Sequence, residues 1–145
     1  MQVDFYHLTQ APLDRVLPRI CERVLAGGGR LLIVSESDDQ RARLDKLLWT
    51  YEAESFLPHG QAGEGEADQP VLLVADVRAA NHARNVALAD GIWREEALAF
   101  DRAFHFFDED RIGEARAAWK GLADREGVTR NYWKQDENGR WQKAA

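Results

Sequence analysis

The sequence predicts an α/β protein: an open, mostly parallel, twisted sheet with helices on both faces, in a single domain spanning residues 1–145. Two features of the chain carry this expectation. Short runs without a polar residue, Leu31 to Val34 (LLIV) and Val71 to Ala75 (VLLVA), have the pattern of strands covered on both sides, as in parallel sheets. Between the runs lie segments whose apolar residues recur every three or four positions, so strands and amphipathic helices alternate in the order that crossover units require.

Taken in order, Val3 to Leu8 (VDFYHL) alternates loosely and reads as a first strand, ended by Thr9-Gln10-Ala11-Pro12. Val16, Leu17, Ile20, Cys21, Val24 and Leu25 form one stripe of a helix stopped by Gly27-Gly28-Gly29. Pro18 interrupts this pattern. It requires either a helix that begins near it or a kink. After the LLIV strand, Ser37 and Gln40 make a capping box for a helix whose Leu44, Leu47, Leu48 and Tyr51 share a stripe. Glu52 to Pro70 is expected to be a loop, with Gln61 to Gln69 linker-like. Further strands are expected at Val71 to Ala75, Val86 to Ala89 and Ala103 to Phe107, with a turn or short helix between Ile92 and Phe100. A last helix carries Ile112, Ala115, Trp119, Leu122 and Ala123, starting near Asp108 or Asp110 and ending at Gly127. Residues 128–145 end in a hairpin or ordered tail around the turn Asp136-Glu137-Asn138-Gly139.

With 145 residues, 45% of them hydrophobic, and five tryptophans, the chain has ordinary single-domain size. Its lone cysteine, Cys21, falls on an apolar helix stripe and reads as a small buried hydrophobe in a reducing cytoplasm. No apolar run nears the ~20 residues of a membrane-spanning helix, and the first residues lack the pattern of a signal peptide. The net charge of −6 argues against nucleic-acid binding over the whole surface. That charge is unevenly spread: Met1 to Asp110 holds 11 basic and 20 acidic residues, while Arg111 to Ala145 holds 8 and 5. A basic end of this kind suits an acidic peptide or a short phosphate contact, or serves only solubility.

Tests for chemistry return little. The first strand-to-helix turn has no glycine to cradle a phosphate, no Gly-Lys-Ser/Thr occurs, and Gly27 to Gly29 follow a helix rather than open one. The four histidines stand singly, without the paired spacing of a zinc site, so neither a metal nor a cofactor is expected. Glu95-Glu96 and Asp108-Glu109-Asp110 read as turn and helix-start carboxylates rather than an acid/base pair. The rival reading is a small nucleotide-binding or hydrolytic enzyme on a Rossmann-like fold.

One large residue breaks the helical pattern. Trp49 lies about 140° around its helix from Leu44, on the flank of Asp45 and Lys46. Phe56 follows a few residues later, and the two aromatics are either a satellite of the core or a landing site for a partner. The run Leu47-Leu48-Trp49-Thr50-Tyr51, then Glu54 to His59 (ESFLPH) and Ala62 to Gly65 (AGEG), resembles the chi subunit family of bacterial DNA polymerase III. Phe5-Tyr6, Ala115-Arg116, Trp119-Lys120 and Tyr132 to Gln135 (YWKQ) extend the likeness over nearly the whole chain.

The resemblance implies a non-catalytic accessory protein of the clamp loader with two protein-binding surfaces. One, at Trp49, Phe56, Pro58 and His59, would take the psi subunit or, alternatively, a helicase. The other would take the acidic C-terminal peptide of the single-stranded-DNA-binding protein, through Arg116, Trp119, Lys120 and Arg111. Arg116 would hold the terminal carboxylate, and Trp119 would either wall the pocket or belong to the core.

Overall fold

The two apolar runs lie side by side in the computed structural model, which describes residues 1–50, 59–61, 65–78 and 80–145. Strand β2 (Leu31–Val34) pairs in parallel with β4 (Val71–Val74) on one side and with β5 (Asn85–Leu88) on the other. Every residue of β2 and β4 is buried, as their unbroken apolar sequence requires. With β1 (Gln2–His7), β3 (His59–Gln61), β6 (Arg102–Phe107), β7 (Thr129–Gln135) and β8 (Trp141–Lys143) they build one eight-stranded sheet in the order β3-β4-β2-β5-β6-β1-β7-β8. Among the described residues only the β7–β8 pair is antiparallel.

Two cores sandwich the sheet. On one face, α1 (Leu13–Ala26) and α2 (Asp38–Thr50) set Leu17, Ile20, Cys21, Leu44 and Leu48 on Tyr6, Ile33, Leu73 and Phe106. On the other, α3 (Ile112–Gly121) and the short 3-10 turn Glu95–Ala99 set Ala115 and Ala97 against Val3, Phe5, Leu32, Leu88 and Phe107. Alternation along each strand supplies both faces, since neighbouring side chains point opposite ways.

Several boundaries depart from the sequence expectation. Helix α1 begins at Leu13, after Pro12 in an extended conformation, and runs through Pro18 in its second turn. Pro18 is buried there, and lacking an N–H it makes no backbone hydrogen bond to the Asp14 carbonyl. Only half of the capping box forms. The Gln40 amide N–H donates to Ser37 Oγ at 3.1 Å, but the Gln40 side chain turns to Ser35 Oγ and to the Ala89 carbonyl, tying α2 to the ends of β2 and β5. The expected loop from Glu52 to Pro70 contains the edge strand β3, and its linker-like part contains a 3-10 turn at Glu66–Asp68. Three residues of β-pairing are too short to leave a periodic signal. The last helix ends at Gly121 rather than Gly127, and Gly127, with φ 78°, instead turns the chain into β7.

Residues 129–143 do more than close a hairpin. β7 lies parallel to β1, with Phe5 opposite Tyr132 and Tyr6 opposite Trp133, so the chain's end extends the main sheet. Trp133 stacks with Tyr6 at 6.4 Å between centroids and Trp141 meets it edge-on at 5.1 Å. These indoles cover the part of the sheet that α1 leaves open.

Candidate protein-interaction surfaces

Trp49 projects from the last turn of α2 and is the exposed large hydrophobic among the described residues, at 53% of its surface. The stripe of Leu44 and Leu48 fills the core, so a residue one position beyond Leu48 must point outward. Beneath it sits His59 at the start of β3, its ring 4.9 Å from the indole at 63°. His59 is itself buried, with Nε2 3.1 Å from the Asp45 carbonyl and side chain, so it supports the tryptophan rather than facing outward. Phe56 and Pro58, expected in the same surface, lie outside the described residues.

The second group lies on the other face of the sheet. Helix α3 leaves Arg116 and Lys120 exposed, while Trp119 is half buried between edge-on contacts with Phe5 at 5.3 Å and Tyr132 at 5.6 Å. Trp119 thus joins the core in part, while the rest of its surface stays accessible. Arg130 of β7 lies with its guanidinium carbon 3.9 Å from the Trp119 ring centre and donates to the Trp119 carbonyl at 2.6 Å, a cation–π contact that clamps α3 to the sheet. Arg116 is near enough to Tyr132 for its charge to act on the phenol, whose pKa burial nonetheless raises. The Tyr132 hydroxyl stands 3.5 Å from His7 Nδ1, and His7 Nε2 meets Glu109 Oε1 at 2.8 Å.

Tyr132 and Arg130 belong to this surface on geometry alone. No nearby sequence spacing links them to α3; the one available signal was the resemblance through Tyr132 to Gln135. Arg111 is placed differently. It pairs with Glu114 at 3.0 Å and packs beside Gly91, where a Cβ would meet Arg111 Cγ at 2.8 Å, in the cleft at the carboxyl ends of the strands.

That cleft, of about 540 Å³, is where doubly wound sheets bind nucleotides. Here the β1–α1 turn is filled from within. The backbone N–H groups of Thr9, Gln10 and Ala11 all donate to Gln135 Oε1, at 3.3, 3.0 and 3.1 Å. Three amides converging on one oxygen form the cradle that a phosphate would use, and a side chain from β7 occupies it. Around it Asp14 is bound by Arg43 at 2.6 and 2.8 Å, and Asp90 by Arg94 at 2.8 Å. Although burial pulls the Asp90 carboxyl upward, hydrogen bonds from Arg94 and from the Glu36 and Ile92 amides hold it below its usual range.

Fold and side chains together define a doubly covered α/β protein with an outward tryptophan on one face and an aromatic–basic group on the other. The chain belongs to the DNA polymerase III chi subunit family: residues 1–129 match the family described as DNA polymerase III chi subunit, HolC. It is 42% identical over 53 residues to the DNA polymerase III subunit chi of Escherichia coli (strain K12), covering 37% of this chain and 36% of that one. Against the subunit chi of Pseudomonas aeruginosa it is 34% identical over 84 residues, 56% of this chain and 58% of the relative. A probable subunit chi of Rickettsia prowazekii is 26% identical over 83 residues, 57% of this chain and 50% of the relative. The chain thus matches between about a third and three-fifths of the length of these relatives. All are named as the chi subunit of DNA polymerase III. No helix among the described residues is long and apolar enough to cross a membrane.

Proposed function

We propose that this chain is a non-catalytic adaptor of the cytoplasmic replication machinery, joining the psi subunit of the clamp loader to the acidic C-terminal tail of the single-stranded-DNA-binding protein. The observation that carries the reading is the separation of its two candidate surfaces. Trp49 rises from α2 beside the β3 edge, whereas Arg116, Trp119 and Lys120 lie on α3 over the opposite face, above β1 and β7. A partner on one need not displace a partner on the other.

Each surface has chemistry suited to its partner. A half-exposed tryptophan braced by a buried ring makes a rigid apolar anchor for psi, and truncating such an anchor costs roughly 2 kcal/mol or more of binding. Arg116 and Lys120 make no ion pair with a described residue, so both charges are available to a peptide's carboxylates. Trp119 offers its accessible side to the peptide's last apolar group. Gln135 in the β1–α1 turn weighs against the enzymatic alternative, because its oxygen takes the amides that a nucleotide phosphate would need.

The test uses a synthetic peptide with the acidic C-terminal sequence of the single-stranded-DNA-binding protein, and purified psi. Arg116→Ala is expected to weaken peptide binding about tenfold while psi binding is retained; Trp49→Ala is expected to do the reverse. Loss of both interactions in either variant, or of neither, refutes the two-surface reading.

A further inference from the structure

At the amino ends of the parallel strands, opposite the filled turn, the fold gathers charges that the chain order keeps apart. Arg23 comes from the last turn of α1, Arg30 precedes β2, Arg84 precedes β5 and Arg102 opens β6. All four belong to the part of the chain that is acidic overall. Two recesses lie among them. The smaller, of about 240 Å³, is lined by Tyr6, Ile20, Arg23, Asn85, Arg102 and Phe104, among others. The larger, of about 490 Å³, shares Gly29 and Asn85 with it and adds Arg30, His82 and Arg84, with Asp101 as its carboxylate.

The smaller recess is constructed around a fixed guanidinium. Asp4, fully buried, accepts from Arg102 Nε at 2.8 Å, and three further donors hold the carboxylate: Gln2 at 3.0 Å, Asn131 at 3.1 Å and Trp133 Nε1 at 3.0 Å. The Phe104 ring supports the same guanidinium from 4.5 Å. Arg102 is thereby oriented, with the Tyr6 hydroxyl beside its guanidinium and no second carboxylate on its terminal nitrogens among the described residues. The Arg23 side chain makes no hydrogen bond or ion pair with a described residue, and its charge and that of Arg102 act on the Tyr6 hydroxyl against the charge of Asp4. The carbonyls at the end of α1, which would repel an anion, are capped: Arg23, Leu25 and Val24 accept from the amides of Gly27, Gly28 and Gly29.

We propose that this recess binds a phosphate group, with Arg23, Arg102 and the Tyr6 hydroxyl meeting its oxygens from α1, β6 and β1. Donors arriving from three elements suit a tetrahedral oxyanion, whereas a planar carboxylate is satisfied along one guanidinium edge. Ile20, Val24 and Phe104 leave room for a small organic substituent but not for a dinucleotide. The phosphate is either free or carried by a small ester such as a mononucleotide, whose remainder would extend toward Arg30 and Arg84.

The experiment is an amide NMR titration of the full chain with inorganic phosphate, AMP and adenosine, at constant ionic strength set with chloride. Saturable shifts at Arg23, Gly29, Arg102 and Phe104 are expected from phosphate and AMP and not from adenosine. Tighter binding of AMP identifies an ester as the source; equal binding identifies free phosphate. Arg23 is exposed on α1, so Arg23→Ala should keep the fold, verified by its circular dichroism, while weakening binding about tenfold. Tyr6→Phe should weaken it about threefold. Absence of saturable shifts from both phosphate compounds, shifts from adenosine matching those from AMP, or affinity unchanged in Arg23→Ala would each overturn the site.

Discussion

His105 is buried with both ring nitrogens lacking a hydrogen-bond partner among the described residues, enclosed by Phe5, Trp93 and Phe107. Burial among these rings lowers its pKa from 6.5 to about 4, with Arg94 adding to the effect and Asp90 opposing it. The folded state therefore refuses a proton that the unfolded chain accepts below pH 6.5, and stability is lost as pH falls from about 6.5 toward 4. At pH 5 the loss from this residue is about 2 kcal/mol. Chemical denaturation at pH 7 and pH 5 should show a smaller acid-induced decline in His105→Leu than in the parent protein, and equal declines would exclude this origin. Cys21 is another buried titratable group. Burial pushes its thiol up to about 12, so it should resist thiol reagents until the chain unfolds, a result that a native-state labelling assay reads directly. Trp49 belongs to the opposite class. Because half of it is in solvent, Trp49→Ala should lower stability by under about 1 kcal/mol in the same denaturation experiment.

At the scale of elements, Gln135 joins the end of β7 to the β1–α1 turn. Its oxygen accepts three amides, its Nε2 donates to the Gly139 carbonyl at 3.3 Å, and it is buried. Gln135→Ala leaves that cluster of donors unpaired, at a cost of roughly 1–3 kcal/mol. Hydrogen exchange should show Thr9, Gln10 and Ala11 losing protection together, ahead of the sheet; unchanged protection at those amides would mean that the turn holds itself. Asp4 performs the corresponding task on the neighbouring strands. One carboxylate in β1 takes donors from β6 and from β7, which fixes the lateral packing of three strands as well as their order.

The whole molecule presents its two candidate protein surfaces on opposite faces of a rigid sheet, and they are expected to act independently. The double variant Trp49→Ala/Arg116→Ala should show losses of psi and peptide binding equal to those of the single variants, within about 0.5 kcal/mol. Because the peptide contact is between exposed charges, its affinity should also fall as salt rises past ~0.15 M, whereas binding at the apolar Trp49 should change less. Titrations at two salt concentrations compare the two slopes.

Much of the architecture was legible in the chain because its signals are local. The apolar runs of β2 and β4, the leucine stripe of α2 and the Ser37 cap depend on neighbours a few positions away, and so does the position of Trp49 off that stripe; that it stays exposed was decided by the fold. The resemblance carried by Leu47 to Tyr51 and by Trp119-Lys120 pointed to the family that residues 1–129 match. Other features depend on residues the chain brings together only by folding. The placement of β7 beside β1 joins positions about 127 apart, Gln135 reaches the turn at Thr9 to Ala11, and Tyr132 of β7 comes within reach of the Arg116 charge on α3. Counting charge along the chain likewise put Arg23, Arg30, Arg84 and Arg102 in its acidic part. Only parallel pairing, which sets the starts of β2, β5 and β6 at one end of the sheet, turns them into a basic rim, because in such a sheet proximity follows strand order rather than sequence order.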